Sequence, residues 1–90
     1  MLCFEDCVAL SGLTEEEIDA IAQHEHLPEI VALELGTYLL HQPDGTLKIR
    51  RMILDDIADA EKSGNAERLL VLKATLKHFV DTHPENPKNS

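Results

Sequence analysis

Turn-forming residues fall at Gly12, Leu27-Pro28, Gln42-Pro43-Asp44-Gly45 and Ser63-Gly64, and the segments between them carry apolar residues three and four positions apart. That spacing gathers side chains on one face of a helix, whereas a half-buried strand needs alternation at every second residue. Connections this short make neighbouring helices antiparallel or steeply angled. The apolar faces are supplied mostly by Leu, Ile, Val and Ala; Phe4, Phe79 and Tyr38 are the only aromatics, and Trp is absent. Such a composition favours helices over sheets. The expected fold is all-α: a compact antiparallel bundle of four main helices at about 14–26, 28–41, 47–62 and 66–82, with a short N-terminal helix at about 2–10. Residues 1–83 form a single domain in this reading, and 84–90 (PENPKNS) have the composition of a tail.

The helix starts and faces follow from local signals. In the first helix Leu2, Cys3, Cys7 and Leu10 recur at helical spacing until Gly12. Thr14 followed by Glu17 is a capping-box pattern, with Glu15 and Glu16 where the helix dipole favours anions. Ile18, Ile21 and Ala22 form the stripe behind it, and Leu13 is positioned as a staple. The 28–41 segment is apolar nearly all round, through Ile30, Val31, Leu33, Leu35, Tyr38, Leu39 and Leu40, with Glu34 as its only mid-helix charge. A helix of that kind is central or lies at a subunit interface. Gly36 within it costs about 1 kcal/mol relative to Ala unless another backbone approaches closely.

After Pro43 two continuations compete. Thr46-Leu47-Lys48-Ile49 alternates as a strand does, which makes 38–49 a hairpin; alternatively Thr46 caps a helix. The face Ile49, Met52, Ile53, Ile57, Ala60, closed by Ser63-Gly64, favours the helix. Asn65 caps the last helix, whose stripe is Leu69, Leu72, Leu76, Phe79 and Val80, widened by Leu70 and Val71.

Charge is distributed unevenly. The first 47 residues contain ten acids and no Lys or Arg, whereas residues 48–90 hold all eight basic residues against seven acids, giving −9 in total. The acidity argues against nucleic-acid binding, which depends on neutralising phosphates, and the basic residues are interleaved with Asp55, Asp56 and Asp59. No stretch approaches the length of a membrane span, and the N-terminus lacks the basic region of a secretory signal. The expected compartment is the cytoplasm, where Cys3 and Cys7 stay reduced.

Five groups of residues carry candidate chemistry. His24-Glu25-His26 sits at a helix end, where two imidazoles at i and i+2 can turn toward one zinc or other divalent ion, with Glu25 alongside. The bland reading is a polar helix terminus, and it is preferred. Cys3 and Cys7 share a helical face and can add two thiolates, although buried structural cysteines are commoner. His78-x4-His83 has the spacing of a zinc-finger return pair, but lies far along the chain. Glu34, with Tyr38 and His41 on its face, is expected to be a buried acid paired with Arg50, Arg51 or Lys73. Glu15, Glu16, Glu17, Asp19, Glu25 and Glu29 form an acidic front able to meet a basic partner. The di-iron Glu-x-x-His pattern, His-Glu-x-x-His, phosphate-binding glycine loops, Gly-x-Ser-x-Gly, Cys-x-x-Cys and the EF-hand loop are all missing.

These features favour a small acidic helical interaction or assembly module without catalysis or cofactor of its own, binding a protein partner or a second copy as a homodimer. A metal-binding protein or small metalloenzyme using His24, Glu25 and His26 is the alternative. An acidic regulatory protein that covers a basic surface is the second.

Overall fold

A computed structural model describes residues 3–84. It is all-α, with five helices: α1 (Phe4–Ser11), α2 (Glu15–Glu25), α3 (Glu29–Leu40), α4 (Gly45–Ser63) and α5 (Ala66–Thr82). No strand occurs among the described residues. Leu2, and the 84–90 tail apart from Pro84, lie outside them.

The predicted caps form. The Thr14 hydroxyl accepts the Glu17 N–H at 3.1 Å, and a Glu17 carboxylate oxygen accepts the Thr14 N–H at 2.9 Å. Asn65 accepts the Arg68 N–H at 3.1 Å. Gly12 (φ 83°) and Gly64 (φ 73°) close α1 and α4 in the left-handed conformation that glycine adopts without a steric penalty. His26 does the same for α2 at φ 58°, a conformation histidine visits more readily than most residues. The 38–49 alternative resolves as helix, but α4 begins at Gly45 after the N-cap Asp44, so Thr46 lies inside its first turn. Gly45 makes this early start sterically feasible. A Cβ there would stand 1.5 Å from the Leu39 carbonyl oxygen, so α3 and α4 approach as closely as they do because that position has no side chain.

The core is built from Val8, Leu13, Ile18, Ala20, Ile21, Ala22, Ala32, Leu33, Leu39, Ile49, Ile53, Ala60, Leu72 and Phe79. Helix α2 packs against α3, α4 and α5, and the α4–α5 pairing is the most extensive in the fold. Gly36 is buried, and a Cβ on it would lie 2.6 Å from Leu13 Cδ1 and 3.0 Å from Ile21 Cδ1. The close neighbours that account for this mid-helix glycine are therefore side chains rather than a backbone.

Three predicted faces are redrawn. The inner face of α1 is Phe4, Cys7 and Val8, and Leu10 points outward. In α5 the buried face is Leu72, Thr75 and Phe79, flanked by half-buried Leu69 and Leu76, while Leu70, Val71 and Val80 are exposed. Helix α3 is apolar all round without being enclosed: Ala32, Leu33, Gly36 and Leu39 are buried, but Ile30, Val31 and Tyr38 face outward. A helix packed from one side covers only the stripe that its neighbours reach, whatever the chemistry of the opposite side.

Candidate functional site

Polar groups cross the seam from α2 to α4 and α5. Glu17, at the third position of α2, is fully buried. Beyond its capping bond, its second carboxylate oxygen lies 2.9 Å from His78 Nδ1 on α5. Asp19, two positions on, accepts from Arg68 Nη1 at 3.0 Å. Near the end of α2, His24 is held by two carboxylates, with Nδ1 2.7 Å from Glu25 Oε2 and Nε2 2.9 Å from Asp55 Oδ2. Desolvation pulls the His24 pKa down, but the hydrogen bonds to Asp55 and Glu25 and the charges of Asp56 and Glu25 outweigh it, leaving the imidazole above its ordinary value. The acidic front half thus docks on the back half through one arginine, two histidines and their carboxylate partners.

Asp56 lies on the core face of α4, three residues after Ile53 and four before Ala60, and is only 8% exposed. Burial pushes its carboxyl up to about 6, against the opposing pull of His24 and Arg68. It opens with Arg68 onto a cleft of about 520 Å³ at the α4–α5 turn, also lined by Gln23, Asp59, Lys62, Ser63 and Asn65. Within the described structure Asp56 Oδ2 and Arg68 Nη2 are buried without a hydrogen-bond partner. An unsatisfied buried polar atom costs about 1–3 kcal/mol. Two of them on one cleft make it the most chemically demanding place in the fold.

A second surface is the outer face of α3. Ile30 is 51% exposed and Tyr38 60%, with Val31 and Glu34 exposed between them. Neither α3 nor α2 contains a Lys or Arg. At the α2–α3 corner the Glu29 carboxyl is raised by a hydrogen bond with Asp19, then by desolvation and the charges of Asp19 and Glu15, which is the signature of crowded acids.

The residues singled out from the sequence are distributed differently from expectation. Glu15, Glu16 and Glu29 are exposed, and Asp19 is half-buried against Arg68. Glu17 does not belong to the acidic surface, because its capping geometry turns the carboxylate inward onto His78. Glu34 is not the buried acid: it lies on the outer face of α3, with Arg51 and Lys73 likewise exposed and Arg50 half-buried. Among the described residues the buried carboxylates are Glu17 and Asp56. For Asp56 the available signal was its register on the stripe Ile49, Ile53, Ala60; for Glu17 it was the four-residue step to Ile21.

His24 and His26 part company, since both nitrogens of His24 face carboxylates while His26, in the left-handed cap, is exposed. No group of three or more His, Cys, Asp or Glu among the described residues is placed to hold a metal ion. Cys3 is exposed and Cys7 half-buried, both as free thiols. His83 stacks on Phe79 with ring centroids 4.6 Å apart, whereas His78 turns to Glu17. No described helix is long and apolar enough to cross a membrane.

Compared with known proteins, the chain matches no family model, no curated protein sequence and no solved structure.

Proposed function

We propose that this protein is a small helical interaction module without catalysis of its own, and that the outer face of α3 docks a basic amphipathic helix of a partner protein. The observation that carries this reading is the exposed set Ile30, Val31 and Tyr38 around Glu34, on a helix with no cation. Positions 30, 31, 34 and 38 fall on one side of the helix, so three apolar side chains and Glu34 can face a partner helix together. Isolated exposed apolar residues are ordinary, whereas three on one side of an already apolar helix support an interaction surface. The charge around it selects the occupant. Glu34 on that side and the crowded Asp19, Glu29 and Glu15 at the α2–α3 corner favour lysines and arginines flanking the partner's apolar face. A second copy would bring the same carboxylates together in a chain of net charge −9.

The test uses a synthetic amphipathic helix with leucines on one face and lysines on the other, and a control with glutamates in place of the lysines. Fluorescence anisotropy should show salt-sensitive binding of the lysine peptide. The double substitution Ile30→Ser, Tyr38→Ser should weaken it at least tenfold while circular dichroism stays unchanged. Equal binding of the glutamate peptide, or of the double variant, would refute the reading. Sedimentation showing a dimer that the same variant dissolves would assign the face to a second copy and refute the basic partner.

A further inference from the structure

A different part of the molecule supports an inference independent of the α3 face. We propose that the cleft at the α4–α5 turn binds a small zwitterion of the free α-amino acid class, its ammonium group on Asp56 and its carboxylate on Arg68. The cleft measures about 520 Å³, within the range of small-ligand sites. Both residues line it, and each holds a buried polar atom that no described protein group satisfies, an acceptor on Asp56 and a donor on Arg68. A ligand satisfying both must offer a donor and an acceptor together.

The formal charges of the lining narrow the class. Asp56 and Asp59 oppose Lys62 and Arg68. A simple anion would meet two carboxylates, and a simple cation would meet two basic groups; a zwitterion is matched at both ends. Arg68 Nη1 already donates to Asp19 at 3.0 Å, and Nη2 is the guanidinium nitrogen left buried without a partner among the described residues. The terminal torsion of an aspartate is soft, so the Asp56 carboxyl can turn toward a ligand at little cost. Gln23, Ser63 and Asn65 supply neutral hydrogen-bonding groups for the remainder of the molecule. The high carboxyl pKa of Asp56 agrees with a site short of a cation, and an ammonium group beside it would bring that value down from about 6.

The experiment is a nitrogen-15 NMR titration with glycine, L-serine and L-glutamine as probes. N-acetylglycine, which lacks the ammonium, and glycinamide, which lacks the carboxylate, are the controls. At least one zwitterion should shift the amides around Asp56 and Arg68 saturably below roughly 10 mM. Both controls should bind at least tenfold more weakly. Asp56→Asn and Arg68→Lys should each weaken the zwitterion at least tenfold in protein that circular dichroism shows to be folded. Carbon-13 detection of the Asp56 carboxyl should show its titration moving to lower pH in the complex. Absence of saturable shifts with all three zwitterions would mean that water alone satisfies Asp56 and Arg68, and would overturn the proposal. So would controls, or an Asp56→Asn variant, that bind as well as the parent pair.

Discussion

The Glu17 carboxylate meets the His78 imidazole at 2.9 Å, fully buried on the Glu17 side and half exposed on the His78 side. This contact ties the start of α2 to the later turns of α5. The two partners are unequal, because His78 regains water if Glu17 is removed, whereas Glu17 remains enclosed if His78 is removed. Stranding a buried charge is costly even when the pair itself contributes little net stability.

His78→Ala should therefore lower stability by about 2–3 kcal/mol, well beyond the usual effect of a half-exposed residue. Glu17→Ala should cost a similar amount, through loss of the Thr14 N–H acceptor and of buried volume. In a urea-denaturation double-mutant cycle the two should couple by more than about 1 kcal/mol. Additivity within about 0.5 kcal/mol would mean that the contact holds nothing together.

Gly45→Ala should destabilise the protein by about 2–3 kcal/mol, since the added carbon meets the Leu39 backbone rather than a movable side chain. For a domain of this size the melting temperature should fall by more than about 10 °C. Gly64→Ala is the comparison. That position has open space but positive φ, so its cost of about 1 kcal/mol is conformational. A Gly45 variant that melts no lower than the Gly64 variant would contradict the close approach of α3 and α4.

Stability should rise as pH falls from about 7 to about 4. Asp56, His24 and Glu29 all have raised values in the folded state. Each therefore contributes stability that is fully present below its unfolded pKa and lost as pH rises through its folded one. For Asp56 that window runs from 3.8 to about 6. Ionising Asp56 in the folded state costs on the order of 2–3 kcal/mol. Asp56→Asn should remove that part of the pH dependence and stabilise the protein at pH 7 by about 1–2 kcal/mol. Thermal melts of both proteins across this range give the comparison; parallel curves would rule out Asp56 as a source.

Much of the fold was legible because helix boundaries are local. Thr14 with Glu17, Asn65, Gly12 and Gly64 act on backbone groups a few residues away, so their roles can be read without knowing what packs where. The stripes of α2 and α4 were equally plain from their three-and-four spacing. The start of α4 was less so, since Thr46 looks like a cap; only the approach of Leu39 shows why a glycine occupies the first turn.

The site was less legible than the fold. Asp56 has the register of a core residue and the chemistry of a surface one, and its burial follows from the packing of α4 against α2 and α5. Glu34 presents the opposite case, an acid within an apolar helix whose exposure depends on no neighbour covering that side of α3. The sequence by itself determined that the chain is helical, where most of its helices start and stop, the start of α4 excepted, and that its front half is acidic. The tertiary structure alone decided which carboxylates go inside, that His24 is drawn to Asp55 and away from His26, and that Asp56 and Arg68 share a cleft. The physical reason is range: caps and periodicity act over one helical turn, while burial and charge pairing depend on residues brought together from across the chain.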